Sequence, residues 1–381
     1  MTMNGCAVPE PGVESARGVL RRLIGSRADS IDLKMVSTRG GGDRFAYESV
    51  KGRLQIEATS PTALCSGFYQ YLKSQGLGMR TWAGKRLEIP KSWPAVPRTA
   101  ADSPFRLRQY FNVVTYGYSM PYWSWKRWEE ELDWMALHGI NMPLALVGQE
   151  AIATRIWRRM GLTQAEIDEF YTGPAFLPWQ RMGNISNHNG PLSDAWHKDQ
   201  IALQKKILRR IRELGMTPIV PGFSGFVPKG IRRLHPDAPL DPVAWGGFPS
   251  EKQAHFLSHK SPLFAKISED FIAEWEREFG PERHKLVDSF NEMDLPSQGA
   301  RREDFLASYG EEISQILARS HPENIWVIQG WMFGYQRDIW NEKTVAALFS
   351  KVPDSRMLIM DMACDYNGTF WKNGMNWEVF K

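Results

Sequence analysis

The sequence is poor in cysteine and has no long apolar run. Its three cysteines, Cys6, Cys65 and Cys364, lie far apart and form no CxxC pair. An odd, sparse set of this kind argues against a disulfide framework and against a zinc site. No apolar run approaches the roughly 20 residues that cross a bilayer, so we expect no membrane span. The first residues also lack the basic and apolar regions of a secretory signal peptide. Either the protein is cytosolic or the start of the gene lies upstream, and the compartment stays unknown.

A strong excess of charge of one sign is also missing. Lys and Arg number 47 against 43 Asp and Glu, and the net charge of +4 is spread along the chain. This mild balance argues against a nucleic-acid partner. The absence of a Gly-rich phosphate fingerprint weakens the case for a dinucleotide-binding fold. No His-x-His or Asp cluster has the spacing of metal ligands. We therefore expect no nucleic acid, no metal and no other cofactor.

Tryptophan, by contrast, is abundant. The chain has 16 Trp in 381 residues, many of them beside Gly, Asn or Pro. A flat ring with an N–H group suits the face of a sugar, although burial in the core is the commoner role of any single Trp. The hydrophobic share of 43% and the charged share of 24% are those of a globular protein. The length allows two or three domains.

The N-terminal quarter predicts a small α/β domain, residues 1–95, that begins with a loose tail. Residues 30–37 and 53–58 alternate apolar and polar side chains, which predicts strands. Ser60-Pro61 has the residue types of a helix start. Residues 96–104 end a Pro- and Ala-rich stretch and are interpreted as a linker. The remaining residues, 105–381, are assigned to a second, catalytic domain.

The second domain alternates apolar strands with helical patterns. The predicted strands are Tyr110–Thr115, Ile140–Val147, Met216–Phe223, Leu286–Phe290, Ile325–Gln329 and Met357–Met360. Such alternation favours a parallel sheet. Long segments after the strands favour a barrel with an elaborated catalytic face. A (β/α)8 barrel has eight strands and the pattern supplies about six. We therefore expect an α/β fold with an incomplete TIM-type barrel, preceded by the small α/β domain.

The most informative strand end is Asn291-Glu292, directly after the apolar run Leu286–Phe290. In an α/β barrel this end of the strand faces the active site. A carboxylic acid beside an amide suits general acid catalysis on a glycosidic bond. Alone the signal is weak, because Asn and Glu also serve as turn residues at strand ends.

Longer motifs extend through this region. They are YFNV at 110–113, WEEELDWMALHGIN at 128–141, GQEA at 148–151, LTQAEIDEFYTGPAFL at 162–177, WQRMGN at 179–184, GMTPIVP at 215–221, FNEM at 290–293 and QGW at 329–331. In these motifs the segment Arg108–Pro296 resembles the α-N-acetylglucosaminidases, glycoside hydrolase family 89. The N-terminal domain resembles the small leading domain of that family more loosely.

The resemblance implies a retaining glycosidase that removes terminal α-linked N-acetylglucosamine from a carbohydrate. The family uses two glutamates on a (β/α)8 barrel, and Glu292 matches the acid/base. The family's nucleophile lies beyond the counterpart of Asp361, and a helical domain follows the barrel. We therefore expect a truncated member without the nucleophile or the C-terminal helical domain. Such a chain would have little or no activity by itself and would aggregate or need a partner.

Further residues match positions that line the sugar pocket of the family. Asn291 is placed to bond the substrate near C2, and the others are Asn112, Tyr118, Trp179, Trp245 and Trp331. For Tyr118 and Trp245, packing in the core is an equal alternative. Glu150 either bonds substrate hydroxyls or pairs with an arginine such as Arg155.

Two alternatives stay open. In the first, the chain is a catalytically inactive remnant or carbohydrate-binding module that keeps the sugar pocket. In the second, it is an unrelated barrel hydrolase whose acid also follows an Asn on the fourth strand. Family members are commonly secreted, periplasmic or lysosomal. The natural glycan and the oligomeric state do not follow from the sequence.

Overall fold

The N-terminal part of the fold is a four-stranded sheet with two helices packed against it. The computed structural model describes residues 11–37, 40–296 and 300–361. The elements up to residue 102 are α1 Pro11–Ile24, β1 Ile31–Met35, β2 Arg44–Val50, β3 Arg53–Ala58, α2 Pro61–Ser74, β4 Gly78–Arg80, β5 Lys85–Leu87 and β6 Val96–Asp102. The strand order is β1-β3-β2-β6, with β1 parallel to β3 and the other neighbours antiparallel.

The start of α2 is fixed by its first residues. The Ser60 hydroxyl accepts a hydrogen bond from the Ala63 N–H at 3.0 Å, and Pro61 lies in the first turn. This satisfies one of the amide groups that a helix start leaves unpaired. Leu64, Phe68 and the other apolar residues on the same face are buried. The predicted strand at 53–58 and this helix start are confirmed, and the strand predicted at 30–37 is present as the shorter β1.

Two N-terminal segments differ from expectation. Residues 96–102, within the expected linker, form β6, and residues 11–15, expected in the loose tail, begin α1. Strand β6 is almost wholly exposed at the edge of the sheet and contains Pro97. Backbone pairing with β2 therefore forms this strand, without an alternating apolar pattern that the sequence could reveal. The domain bounds themselves stay a prediction.

The later part of the chain alternates strands and helices. Its elements are β7 Gln109–Tyr110, α3 Thr115–Tyr118, α4 Trp125–Leu137, β8 Met142–Pro143, α5 Gln149–Met160, α6 Gln164–Phe170, α7 Leu177–Arg181, α8 Asp194–Glu213, β9 Ile219–Pro221, β10 Phe226–Val227, α9 Ile231–Leu234, β11 Leu240–Val243, β12 Ala254–Leu257, α10 Pro262–Phe279, β13 His284–Leu286, α11 Arg302–Ser320, β14 Ile325–Gln329, α12 Trp331–Tyr335, α13 Glu342–Phe349 and β15 Met357–Met360.

The pairing of these strands is parallel where the sequence predicts it. Strand β7 pairs with β8, and a second sheet has the order β15-β14-β13-β9. Leu144, just after β8, forms a parallel bridge with Ile219 in β9. These strands correspond to the six predicted ones. A separate antiparallel sheet, β10-β12-β11, lies in the long segment before α10.

Four strands are shorter or earlier than expected, and β8 and β9 keep only Met142–Pro143 and Ile219–Pro221 of their predicted runs. The segment Tyr110–Thr115 leaves the sheet after Tyr110, and the run Leu286–Phe290 contributes only Leu286 to β13. The backbone becomes left-handed directly after β7, with φ of 79° at Phe111, and at the end of the run that follows β13, with φ of 64° at Phe290. A left-handed residue turns the chain out of an extended strand. Apolar residues continue past the strand because this part of the turn is buried.

The described residues divide into two compact units. The first comprises the residues up to Tyr110 with Trp123–Pro143 and Lys206–Pro218, and the second comprises Phe111–Tyr122, Leu144–Lys205 and the residues from Ile219 onward. In the first unit Arg22 donates to both carboxylate oxygens of Asp133, at 2.6 and 2.8 Å. The Asp133 side chain is only 3% exposed. A carboxylate so deeply buried needs this pairing, so the ion pair fixes α1 against α4.

In the second unit, α11 and α13 pack closely at Gly310. A Cβ atom added there would lie 1.9 Å from the Leu348 carbonyl oxygen, whereas one added at Gly18 in α1 would meet nothing closer than 3.5 Å. We expect Gly310→Ala to lower the free energy of unfolding by about 1–3 kcal/mol, because the two helices must separate. Gly18→Ala should change it by less than about 1 kcal/mol, in the stabilising direction. Chemical denaturation of both variants checks this, and equal effects would contradict it.

Candidate active site

The Asn291-Glu292 pair lies on a buried turn directly after β13. Phe290 and Glu292 both have left-handed backbone conformations, with φ of 64° and 54°. Asn291, between them, is 1% exposed. Left-handed conformations at residues other than glycine are strained and persist only where surrounding contacts impose them. The turn therefore places the Glu292 side chain in one defined position.

Glu292 is held by two indole groups. The Nε1–H of Trp331 donates to Oε1 at 2.9 Å, and the Nε1–H of Trp245 donates to Oε2 at 3.4 Å. An indole nitrogen can only donate, so both oxygens of the carboxyl group act as acceptors. Glu292 itself is half-buried. The arrangement leaves a carboxyl group that is oriented but still reachable from solvent.

The two indoles come from different elements. Trp331 begins α12 directly after Gly330, at the carboxyl end of β14, and stacks on Tyr335 with ring centroids 5.2 Å apart. Trp245 lies between β11 and β12 and stacks on Phe248 with an interplanar angle of 6°. Both glycines that follow Trp245, at 246 and 247, are left-handed. Three of the predicted site residues, Glu292, Trp331 and Trp245, thus meet in one place.

The remaining predicted residues lie elsewhere in the same unit. Trp179 in α7 packs edge to face against Tyr118 at the end of α3, with ring centroids 5.2 Å apart. Tyr118 is 74% exposed. Asn112 accepts a hydrogen bond from the Val114 N–H at 2.9 Å and so stabilises the start of α3. Within the described residues, none of these three is hydrogen-bonded to Glu292, and their predicted contact with a sugar stays a prediction.

Asn291 contributes its backbone and its side chain differently. Its main-chain oxygen accepts a hydrogen bond from Asn184 Nδ2 at 2.7 Å. Its side-chain amide lies close to Asp288, which that contact helps to hold ionised. Within the described residues, however, neither amide atom makes a hydrogen bond of normal geometry. A buried amide with unused bonding capacity suits a bound water or a substrate group.

Asp288 is a site residue that the sequence analysis missed. Gln329 Nε2 donates to its Oδ2, and the carboxyl group is fully buried. Burial raises the pKa of Asp288 to about 7, although the nearby Asn291 amide and the hydrogen bond from Gln329 oppose the shift. The available signal was an aspartate inside an otherwise apolar run. A polar residue there needs a buried partner, and Gln329 on the neighbouring strand supplies it.

The sequence allows two roles for Glu150, a substrate contact or an ion pair with an arginine, and the structure shows the ion pair. It forms a two-point ion pair with Arg181, at 2.7 and 3.1 Å, and both side chains are buried. The expected partner Arg155 was wrong, since Arg155 pairs with Glu274 and Glu278. Glu150 and Arg181, with Asp288, line a pocket of about 90 Å³. The ion pair of Glu150 therefore stabilises the wall of this pocket.

Residues 11–37, 40–296 and 300–361 contain no group of three or more His, Cys, Asp or Glu side chains that could hold a metal ion. The helices in these ranges are also too short or too polar to cross a membrane. Asp361, beyond whose counterpart the family's nucleophile lies, follows β15 directly and is exposed. Cys6 and Cys364 lie outside the described residues.

Comparison with known proteins identifies the fold and the family. The profile of the α-N-acetylglucosaminidase (NAGLU) TIM-barrel domain matches residues 108–379, and that of the NAGLU N-terminal domain matches residues 14–95. The chain belongs to the α-N-acetylglucosaminidase family. The expected TIM-type barrel with a small α/β domain before it is thereby confirmed.

Individual relatives in the family agree with this assignment. Human α-N-acetylglucosaminidase is 37% identical over 357 residues, which is 93% of this chain and 46% of the human protein. A family 89 glycoside hydrolase from Clostridium perfringens, solved with PUGNAc, has a TM-score of 0.86 at 24% identity, covering 97% of this chain and 41% of that one. A variant of the Clostridium enzyme with its substrate GlcNAc-α-1,4-galactose has a TM-score of 0.83 at 26% identity, covering 92% and 39%. The chain thus spans about half the length of the human relative.

The buried Asp288 predicts a specific pH dependence of stability. Between about pH 4 and pH 7 the folded protein keeps a proton on Asp288 that the unfolded chain has released, because the folded pKa is about 7 and the ordinary value is 3.8. This contribution lowers stability as pH rises, by up to about 1.4 kcal/mol per pH unit. Asp288→Asn cannot ionise and should lose this slope. The measurement is the free energy of unfolding of both proteins from pH 4 to pH 8.

Asp304→Asn is the matched control, because Asp304 is exposed in the first turn of α11. Its stability profile should run parallel to that of the wild type. A profile of Asp288→Asn that is also parallel to the wild type would contradict the assigned pKa.

Proposed function

We propose that the protein is a glycosidase that removes terminal α-linked N-acetylglucosamine from a carbohydrate, with Glu292 as the general acid/base. The observation that carries this proposal is the position of Glu292 at the end of β13, gripped by the indole N–H groups of Trp331 and Trp245. Membership of the α-N-acetylglucosaminidase family supports the substrate class. The Clostridium relative solved with GlcNAc-α-1,4-galactose supports a carbohydrate ligand.

The proposed chemistry uses Glu292 twice. Protonated Glu292 gives its proton to the glycosidic oxygen as the bond to the anomeric carbon breaks. The resulting carboxylate then takes a proton from the water that hydrolyses the glycosyl intermediate. The two indole N–H groups hold the carboxyl group in the same orientation for both steps.

A retaining reaction also needs a nucleophile about 5–5.5 Å from the acid/base. We assign this role to no residue of the described ranges. Glu150 is committed to its ion pair with Arg181, and Asp288 is fully buried against Gln329. Neither carboxyl group is available to attack an anomeric carbon.

The sugar contacts in this proposal come from residues around Glu292. The unused amide of Asn291 bonds the substrate near C2, where the acetamido group lies. Trp331, Trp245 and the Trp179–Tyr118 pair offer aromatic rings, which suit the apolar face of a pyranose. Asn112, which stabilises the start of α3, holds Tyr118 in this arrangement.

The experiment that tests this function is hydrolysis of 4-nitrophenyl N-acetyl-α-D-glucosaminide by the purified protein. Glu292→Gln keeps the shape of the side chain but cannot transfer the proton, so we expect kcat to fall on the order of 10²- to 10⁴-fold. Glu342→Gln, an exposed position in the first turn of α13, is the matched control and should retain full activity. Activity that survives Glu292→Gln would contradict the assignment.

Binding is measured on the same protein by calorimetry with N-acetylglucosamine. Binding without turnover would support the carbohydrate-binding alternative instead of the glycosidase. Preference for the β-linked or galacto-configured aryl glycosides would support an unrelated barrel hydrolase.

Trp331 should matter to the rate more than its neighbour Tyr335. Trp331→Phe keeps an aromatic ring but removes the N–H donor of the shorter bond to Glu292. A hydrogen bond to a charged group contributes about 1.5–3 kcal/mol, so we expect kcat to fall about 10- to 100-fold. Tyr335→Phe retains the stacking on Trp331 and should leave kcat within about twofold of the wild type, since surface changes of this kind have small effects. Steady-state kinetics of both variants checks this. Equal losses of kcat in the two variants would contradict it.

A further inference from the structure

The turn that carries Glu292 needs support from outside itself. Two of its residues, Phe290 and Glu292, are left-handed although neither is a glycine. Such a backbone relaxes unless other parts of the protein hold it. Ser289 Oγ supplies one hold, since it donates to the Ser224 carbonyl at 3.1 Å. That bond lies before the turn. The peptide group between Asn291 and Glu292 needs a separate hydrogen bond to fix it.

Asn184 supplies the hold on that peptide. Its Nδ2 donates to the main-chain oxygen of Asn291 at 2.7 Å, and the side chain is 2% exposed. This oxygen belongs to the peptide group whose nitrogen is that of Glu292. The hydrogen bond therefore fixes the plane from which the Glu292 side chain projects.

Asn184 is also tied to the predicted sugar platform. Its main-chain N–H donates to the carbonyl oxygen of Trp179 at 2.8 Å. The preceding residue, Gly183, has φ of 79°, and a Cβ there would lie 1.9 Å from the ring of Phe226. The segment is thus pressed against a buried aromatic ring and cannot shift easily. Asn184 is held in place by the same helix end that carries Trp179.

We infer that Asn184 is a positioning residue, which fixes Glu292 through the Asn291 peptide and sets its spacing from Trp179. This inference rests on the proposed role of Glu292 as the acid/base. Asn184 does not touch the reacting atoms. Its side-chain amide bonds the Asn291 carbonyl and its main-chain N–H bonds the Trp179 carbonyl. Asn184 thus joins two segments that the reaction needs at a constant separation, one with the proton donor and one with an aromatic ring for the sugar.

The chain offers a matched control for a merely structural role. Asn324 is 3% exposed, and its Nδ2 donates to the main-chain oxygen of Leu317 at 3.1 Å. Its buried amide therefore makes the same kind of hydrogen bond as that of Asn184. It lies at the amino end of β14, whereas Trp331 follows the carboxyl end. Asn184→Asp and Asn324→Asp each replace a buried donor with an acceptor of the same shape. Both should destabilise the protein, but only the first should disturb Glu292.

The first test reads the position of Glu292 directly and does not require turnover. In protein labelled with ¹⁵N-tryptophan, the Trp331 Nε1–H resonance is assigned from its loss in Trp331→Phe. This proton is bonded to Glu292, so its chemical shift reports where the carboxyl group lies. Asn184→Asp should move or broaden it, and Asn324→Asp should leave it in place. An unchanged resonance in Asn184→Asp, or equal changes in both variants, would overturn the inference.

The second test uses leaving groups of different acidity. A phenyl leaving group needs the proton from Glu292, whereas a 2,4-dinitrophenyl group leaves almost without it. Misplacing the acid by about 1 Å costs on the order of 10²-fold, so Asn184→Asp should lose that much kcat/KM on the phenyl α-N-acetylglucosaminide and far less on the dinitrophenyl substrate. The ratio kcat/KM is compared because it reports cleavage of the glycosidic bond and not the later hydrolysis of the intermediate, in which Glu292 acts as the base. Asn324→Asp should lower both rates equally, through the fraction folded. Equal losses on both substrates in Asn184→Asp would refute the positioning role.

The two tests separate this inference from the proposed function. A wild-type protein without turnover removes the proposed function, and the resonance of Trp331 still decides whether Asn184 positions Glu292. A wild-type protein with turnover and an unaffected Asn184→Asp removes the inference alone. Asn184→Ser, which keeps a shorter hydroxyl donor, takes the place of Asn184→Asp if that variant does not fold. It should show the same pattern with a smaller change, and a wild-type pattern in it would count against the inference.

Discussion

The hydrogen bonds between Glu292 and two indole groups depend on a strained backbone. Left-handed residues at 290 and 292 turn the chain sharply out of β13, and without that turn the carboxyl group would not reach both Trp331 and Trp245. This turn depends on hydrogen bonds from buried polar groups around it. Asn184 donates to the Asn291 carbonyl, and Gln329 donates to Asp288. Much of the second unit can be understood as support for this one short segment. Strain is often found where a side chain must be aimed with precision.

The sequence revealed the parts of this arrangement that follow from periodic patterns or from single residues. Strand and helix alternation predicted the parallel strands, and the end of β13 drew attention to Glu292. Strands β14 and β15 match their predicted bounds because their apolar runs end at residues that leave the sheet. Trp331 was predicted as a site residue by its match to the family, and it lies beside Glu292 because β13 and β14 are parallel neighbours.

The rest could not be predicted, because it depends on contacts between distant segments. Nothing near Asn184 in the sequence indicates that its amide meets the Asn291 carbonyl, which is 107 residues away. The pairing of Glu150 with Arg181 instead of Arg155 was equally hidden, since both arginines are within reach along the chain. The edge strand β6 lacked an apolar pattern, because its backbone bonds to β2 and its side chains face solvent. Asp288 was visible only as an anomaly in an apolar run.

The two indole groups that hydrogen-bond to Glu292 are fixed by different kinds of segment, and this has an evolutionary consequence. Trp331 lies directly at the end of a barrel strand, whereas Trp245 lies in the segment between β11 and β12, with two left-handed glycines beside it. Insertions or deletions in that segment would change the hydrogen bond from Trp245 while the one from Trp331 stays in place. Under the function proposed above, the position of the proton donor and the selectivity of the sugar pocket can therefore diverge at different speeds.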